Sequence, residues 1–168
     1  MKMYYITGIP GSGKSELARK FKENNFHTID IDYGFCKWIN KPTKAINNWK
    51  PGKPVDFFDE NEWICDFEKV FSKIDNTEGV CIVAGVADNQ LEFLDKFEKV
   101  FLLRCDPRIL FRRIDKRIDN IFGKGKEEKE MILSWYKDFE RETLDKGAIP
   151  IDASASIDEV YNSISKYI

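Results

Sequence analysis

The stretch GIPGSGKS, residues 8–15, decides the fold, because it matches the pattern G-x-x-x-x-G-K-[ST] at every fixed position. An apolar segment at 3–7 precedes it and an amphipathic segment at 15–24 follows it, which predicts a strand, a loop and a helix. In such a loop, backbone N–H groups surround a phosphate and the helix start adds partial positive charge. Lys14 would reach the β- and γ-phosphates, and Ser15 would bind Mg²⁺. The expected phosphate contacts are Gly11, Ser12, Gly13, Lys14 and Ser15.

Short apolar runs alternate with segments of helical periodicity along the rest of the chain. This alternation predicts an α/β fold in which helices cover both faces of a parallel sheet, a three-layer sandwich. The predicted strands are 3–7, 27–31, 80–84, 100–103 and 148–151. The predicted helices are 15–24, 61–73, 107–119, 126–146 and one that begins with a capping box at 156–159.

The composition restricts the class of protein. A chain of 168 residues, 42% of them hydrophobic, is expected to form a single domain over 1–168. The net charge of −2 argues against general nucleic-acid binding, and the four cysteines form no CxxC pair. Neither a membrane span nor a signal-peptide pattern is seen, so we expect a cytoplasmic protein without membrane contact. Both a monomer and a homodimer remain open.

Asp30 and Asp32 lie in TIDID, at the end of the second predicted strand. Ligands of parallel α/β sheets bind beyond the carboxyl ends of the strands, so both residues are candidates for a site there. Strand alternation points the two side chains to the same side. A role as a helix N-cap or as loop carboxylates is the alternative.

The segment RCDPRILFRRIDKR, residues 104–117, carries most of the arginines in the chain. In helical phase, Arg113 and Arg117 lie one turn apart on the flank of an apolar stripe. Arg108 and Arg112 point away from that stripe, and we expect them on a solvated face. The cluster therefore divides into a pair that can face a site and a pair that faces water.

With GIPGSGKS, TIDID, the turn at 85–89 and the arginine pair, the chain resembles the P-loop small-molecule kinases. Within these it is similar to the branch that holds nucleoside monophosphate kinases and shikimate kinase. The resemblance implies a five-stranded parallel sheet in the order 2-3-1-4-5, with ATP and Mg²⁺ as cofactors. It also implies an acceptor-binding segment at 33–75 and a lid loop at 119–126.

On the ATP side, the resemblance gives Arg113 a place against adenine and Arg117 a place at the transferring phosphate. Asp30 would help Ser15 to hold Mg²⁺. Lys14, Arg117 and Asp32 would then form the catalytic set, with Asp32 against the acceptor hydroxyl.

On the acceptor side, the resemblance implies contacts from Asp30, Asp32, Gly85 and Arg141. The chain departs from the monophosphate kinases at 85–89, where no arginine follows the strand. We expect Asp88 to cap the following helix rather than to bind the metal. For Arg141, a surface position remains equally open.

The expected function is transfer of the γ-phosphate of ATP to a small acceptor, preferably a hydroxyl group of a nucleoside or of a shikimate-like molecule. Segment 33–75 has lysines but no arginine, and bidentate arginines are the usual grip on an acceptor phosphate. Trp38, Trp49 and Trp63 could stack on a base or belong to the core. A nucleoside monophosphate kinase and a nucleotide-binding regulatory ATPase without an acceptor are the alternatives.

Overall fold

The computed structural model describes residues 1–74, 79–118 and 121–168. The strands are β1 (Lys2–Thr7), β2 (His27–Asp30), β3 (Cys36–Asn40), β4 (Asn61–Cys65), β5 (Val80–Ala84), β6 (Lys99–Arg104) and β7 (Ile149–Asp152). The α-helices are α1 (Lys14–Glu23), α2 (Phe57–Glu60), α3 (Phe67–Ile74), α4 (Pro107–Lys116), α5 (Lys126–Asp145) and α6 (Ile157–Ser165). Two short 3₁₀ turns, Gln90–Glu92 and Leu94–Lys96, follow β5.

The main sheet has five parallel strands in the order β2-β5-β1-β6-β7. Counted among these five strands alone, this is the order 2-3-1-4-5, which confirms the predicted α/β fold class. β1 lies at the centre, where Tyr5, Ile6 and Thr7 are fully buried. Its carboxyl end therefore delivers the loop at 8–15 to the middle of the sheet edge, where ligands of such sheets bind.

Helices cover both faces of the main sheet, as the three-layer prediction requires. On one face, Phe21 of α1 and Ile164 of α6 pack with Ile114 of α4 in a single buried cluster. On the other face, Phe67 and Val70 of α3 belong to a second cluster. The predicted capping box at the start of α6 is present between Ser156 and Glu159. Among the described residues, no helix combines the length and apolar character needed to span a bilayer.

The predicted helix 61–73 is wrong in its first part. Residues Asn61–Cys65 form β4, which pairs antiparallel with β3, and helix α3 begins only at Phe67. Apolar side chains at 63, 67 and 70 fit a helical period, but those at 63 and 65 also fit strand alternation. Contacts with distant parts of the chain decide for the strand, because Trp63 pairs with Trp38 across the β3–β4 hairpin.

Two other boundaries differ from the sequence predictions. Helix α4 ends at Lys116, and Arg117 already has an extended backbone with ψ 148°. The predicted lid loop 119–126 begins with two residues, 119–120, that lie outside the described part of the chain. Its described residues, 121–125, connect to α5 and carry a hydrogen bond of 2.6 Å from the Gly123 N–H to the Glu128 carboxylate.

Gly85 is expected to tolerate no side chain. It follows β5 with φ 148°, and a Cβ there would overlap the Cγ1 of Ile31 and lie 2.9 Å from its Cδ1. Ile31 is fully buried and has no room to move aside. We predict that Gly85→Ala lowers the free energy of unfolding in urea by about 1–3 kcal/mol. Gly52→Ala is the control, because Gly52 also has a positive φ but has open space around it. Equal losses in the two variants would contradict the steric explanation.

Candidate active site

A large cavity of about 1580 Å³ opens at the carboxyl end of the main sheet. Its walls come from the loop at 8–15, the end of β2, the β3–β4 hairpin, the segment after β5, the end of α4, the lid loop and α5. The segments predicted to bind phosphate, acceptor and adenine therefore meet at one site. This position agrees with the general location of ligand sites in parallel α/β sheets.

The loop at 8–15 holds the side chain of Lys14 inside the protein. Lys14 is 7% exposed, and its Nζ donates to the carbonyl oxygens of Gly8 at 2.7 Å and Ile9 at 3.2 Å. Burial lowers the pKa of Lys14, whereas the nearby carboxylates of Asp32 and Asp30 raise it. The loop therefore holds the ammonium group by itself. The carboxylates of Asp32 and Asp30 lie near enough to favour its charged form.

Of the other predicted phosphate contacts, three line the cavity and Ser12 does not, among the described residues. Gly11, Gly13 and Ser15 line the cavity together with Lys14. Gly11 has φ 85°, and a Cβ on it would lie 2.9 Å from Ile114 of α4, so the loop can approach that helix only with glycine there. The Ser12 side chain is 2% exposed, and its Oγ has no hydrogen-bond partner among the described residues.

Asp30 and Asp32 both line the cavity, as the strand alternation predicts. The Asp30 carboxylate accepts from the Asp32 backbone N–H at 3.1 Å, which fixes the turn after β2. The Asp32 carboxylate accepts from the indole Nε1 of Trp63 at 3.4 Å. Burial raises the pKa of Asp32 and Asp30 adds to this, whereas Lys14 and the Trp63 indole lower it.

The oxygen donors around the loop suit a magnesium ion. Ser15 supplies a hydroxyl and Asp30 a carboxylate, and both line the cavity beside Lys14. Within 1–74, 79–118 and 121–168, no cluster of three or more His, Cys, Asp or Glu side chains forms a complete metal cage. Mg²⁺ commonly takes one or two protein oxygens and completes its shell with water and nucleotide phosphates. Ser15 and Asp30 could supply those one or two protein oxygens.

Arg113 and Arg117 do not lie on one helix, contrary to the sequence prediction. Arg113 lies on α4 and Arg117 lies just beyond its end, and both line the cavity. Arg117 donates to the carbonyl oxygen of Phe122 in the lid loop, and Lys124 donates back to the Arg117 carbonyl oxygen at 2.6 Å. Arg108, predicted to be solvated, is exposed and pairs with Asp106.

Two predicted acceptor contacts are not brought to the cavity. Arg141 is exposed and pairs with Asp138 at 2.9 Å, and it does not line the cavity in the described part of the chain. Gly85 is buried and is not among the described residues that line the cavity, and its carbonyl oxygen accepts from the Tyr5 hydroxyl at 3.2 Å. The requirement for glycine at 85 comes from the Ile31 side chain, so its role here is in packing.

Asp88 does not cap a helix, contrary to the sequence prediction. Its carboxylate accepts from the Trp63 backbone N–H at 2.6 Å, and its own N–H donates to the Trp63 carbonyl oxygen at 2.8 Å. The Asn89 side chain binds the backbone of Cys65 in a similar way. Its Oδ1 accepts from the Cys65 N–H at 3.0 Å, and its Nδ2 donates to the Cys65 carbonyl oxygen at 2.9 Å. These two residues thus attach the outer edge of β4, and with it the hairpin, to the main sheet.

Gln90 is a further residue that the sequence did not single out. It is 1% exposed and lines the cavity. Its Oε1 accepts from the hydroxyls of Thr7 at 2.9 Å and Tyr5 at 3.1 Å, and from the Ala87 N–H at 3.4 Å. The amide therefore fixes the segment after β5 against the central strand. A polar residue shortly after a buried strand was the available signal, but the hydroxyl groups that it binds, those of Tyr5 and Thr7, are more than 80 residues away in the chain.

Aromatic side chains form a further part of the cavity wall. Trp38 and Trp63 face each other across the hairpin with ring centroids 5.3 Å apart. Phe122 of the lid loop packs edge-on against Trp49 and Phe58, at 5.4 Å and 5.5 Å. The lid and the segment predicted to bind the acceptor are therefore in contact with each other over the cavity.

Comparison with known proteins agrees with this architecture. The model of a family described as an AAA domain matches residues 5–133. A putative adenylate kinase of Methanocaldococcus jannaschii is 28% identical over 113 residues, which are 67% of this chain and 56% of that protein. A putative adenylate kinase of Archaeoglobus fulgidus is 24% identical over 156 residues, or 93% of this chain and 68% of the relative. The chain thus spans little more than half the length of the first of these relatives.

Two kinds of solved structure share the fold over almost the whole chain. Shikimate kinase from Acinetobacter baumannii, in complex with shikimate, has a TM-score of 0.64 at 14% identity and covers 99% of this chain and 92% of its own. Deoxyadenosine kinase from M. mycoides, with bound dATP, has a TM-score of 0.58 at 14% identity and covers 98% of both chains. The chain therefore shares its fold with these two kinases, as the sequence resemblance implied.

Asn89 provides a direct test of how the hairpin is attached. Asn89→Ala removes both side-chain hydrogen bonds to the backbone of Cys65, which is 2% exposed. We predict a loss of about 1–3 kcal/mol in the free energy of unfolding, since buried backbone groups lose their partners. Hydrogen exchange at the Cys65 amide should accelerate more than exchange at Tyr5 in β1. The exposed Asn48→Ala is the control, and an unchanged Cys65 amide in Asn89→Ala would rule out the proposed attachment.

Proposed function

We propose that this chain, which belongs to the family described as an AAA domain, transfers the γ-phosphate of ATP to a hydroxyl group of a small acceptor. The observation that carries the proposal is the position of Asp32. Its carboxylate lines the same cavity as Lys14 and Ser15, and the Trp63 indole orients it. A hydroxyl acceptor needs such a group to take or orient its proton, whereas a phosphate acceptor does not.

Each of the other site residues would have its own role in phosphoryl transfer. The loop at 8–15 and Lys14 would hold the β- and γ-phosphates, and Ser15 with Asp30 would supply oxygen ligands for Mg²⁺. The metal, when bound, would neutralise charge on the phosphate oxygens. Arg113 would lie against adenine and Arg117 at the transferring group, because planar guanidinium groups suit both surfaces.

Asp32 would act on the acceptor. Its raised pKa makes the carboxylate a better proton acceptor than an ordinary aspartate, while Lys14 nearby favours its ionised form. The contacts of Phe122 with Trp49 and Phe58 would close the cavity over the reactants. Exclusion of water limits hydrolysis of ATP and favours transfer to the acceptor.

A second candidate, a nucleoside monophosphate kinase, is favoured by the names of the relatives, both putative adenylate kinases. The neighbours with the same fold are named shikimate kinase and deoxyadenosine kinase. A regulatory ATPase without an acceptor is the third candidate function.

Release of ADP, measured with nucleosides, nucleoside monophosphates and hydroxy acids, distinguishes the three candidate functions. We expect ADP release well above the water background with a hydroxyl acceptor. Stimulation by monophosphates alone would support the second candidate function, and no stimulation would support the third.

The roles on the ATP side can be tested by alanine substitution. We predict that Lys14→Ala and Arg117→Ala each lower kcat/KM by about a hundredfold or more, since each removes a cation from the transferring phosphates. Arg108→Ala is the matched control, because Arg108 is exposed and pairs with Asp106 away from the cavity. Comparable losses from Arg108→Ala and Arg117→Ala would contradict the assignment of Arg117.

The proton-accepting role of Asp32 predicts a pH dependence. The group must be ionised to act, so kcat/KM should fall as the pH decreases through its pKa. Because burial raises that pKa, the fall should be centred above the ordinary value of 3.8. Asp32→Asn should remove this limb and lower kcat/KM by about 10²–10⁴-fold. An unchanged acid limb in Asp32→Asn would show that another group titrates.

A further inference from the structure

We infer that the acceptor is an uncharged molecule with a planar ring, a nucleoside rather than a nucleotide or a carboxylic acid. This inference rests on the proposed function and names the class of acceptor. It concerns the acceptor half of the cavity, which we define as the lining residues within 28–63 and 86–91.

The acceptor half is acidic. Its charged lining residues are four carboxylates and one ammonium group: Asp30, Asp32, Glu62, Asp88 and Lys41. Lys41 is exposed, and its Nζ donates to the backbone carbonyl oxygen of Asp59 at 2.8 Å. The sole lining cation of this half, among the described residues, is therefore outnumbered four to one by carboxylates, and its ammonium group also bonds a backbone carbonyl oxygen of Asp59, which does not line the cavity. An acceptor that carried a phosphate or carboxylate would meet like charge without a compensating guanidinium group.

The other cations that line the cavity lie outside the acceptor half. Among the described lining residues, the arginines are Arg19 of α1, Arg113 and Arg117, and the last two are the residues proposed to contact ATP. Lys14 offsets part of the charge of Asp30 and Asp32. Within the described part of the chain, Glu62 on the hairpin forms no ion pair with a lysine or arginine. This separation of charge favours binding of an anionic ligand in the part of the cavity proposed for ATP and disfavours it in the acceptor half.

Aromatic rings supply the attractive part of the acceptor half. Trp38 and Trp63 are half-buried, line the cavity and come from facing positions of β3 and β4. The Trp63 indole donates to Asp32, so an aromatic surface lies directly beside the carboxylate that would act on the hydroxyl. A ligand that joins a flat ring to a hydroxyl group matches this arrangement, because rings stack favourably on indole faces. A nucleoside has both groups and carries no charge.

Equilibrium binding tests the inference without relying on turnover. The protein is first saturated with Mg²⁺ and a non-hydrolysable ATP analogue, so that the loop at 8–15 is occupied. The common ribo- and deoxyribonucleosides, their 5′-monophosphates and shikimate are then titrated by calorimetry. At least one nucleoside should bind about tenfold or more tightly than its own monophosphate. Equal or tighter binding of a monophosphate or of shikimate overturns the inference, and so does a failure of every nucleoside to bind at millimolar concentration.

The charge on the hairpin can be changed by one unit. Glu62→Gln should narrow the ratio between the dissociation constants of the monophosphate and the nucleoside by about two- to fivefold. Glu60→Gln is the control, because it makes the same change at an exposed position outside the cavity and should leave the ratio as it is. An unchanged ratio in Glu62→Gln overturns the electrostatic explanation. Selective binding of a nucleoside without phosphoryl transfer to it would instead refute the proposed function alone.

Discussion

The buried ammonium group of Lys14 is the constraint on which the site depends. An ammonium in the protein interior requires acceptors and opposite charge nearby, and both are present. The carbonyl oxygens of Gly8 and Ile9 accept its hydrogen bonds, and the carboxylates of Asp32 and Asp30 favour its charged form. The sheet order makes this possible, because it brings the ends of β1 and β2 to the same edge with one strand between them.

In the function that we propose, the residues that would select the acceptor are separate from this arrangement. The β3–β4 hairpin is not part of the main sheet and is attached to it through the side chains of Asp88 and Asn89. The hairpin contributes Trp63 to the orientation of Asp32 and contacts the lid through the aromatic cluster around Phe122. If the hairpin binds the acceptor as we propose, a change in the hairpin would alter which acceptor fits while the phosphate-binding loop keeps its geometry.

Most of the fold could be predicted because its signals are local. The motif at 8–15 and the short apolar runs each identify an element without reference to the rest of the chain, and all five main-sheet strands were found in this way. The strand β4 could not be predicted, because its spacing fits two periods and distant partners at Asp88 and Asn89 decide between them. The role of Gln90 could not be predicted either, because the hydroxyl groups of Tyr5 and Thr7 that it binds lie more than 80 residues away in the chain.

The site was predicted best where the geometry follows from one element. Asp30 and Asp32 share a side because strand alternation requires it, and both line the cavity. Arg117 also lines the cavity, although the helix that was expected to carry it ends one residue earlier. Arg141 was assigned by resemblance alone, and its position depends on the rotation of α5, which the sequence does not determine.

The proposed transfer to a hydroxyl group is tested most directly by a crystal structure of the protein with Mg²⁺, a non-hydrolysable ATP analogue and the acceptor together. We predict that the acceptor hydroxyl lies about 3 Å from the Asp32 carboxylate, between it and the γ-phosphate, with the ring of the acceptor against Trp63. An acceptor phosphate directed at the γ-phosphate, or a hydroxyl group remote from Asp32, would contradict it.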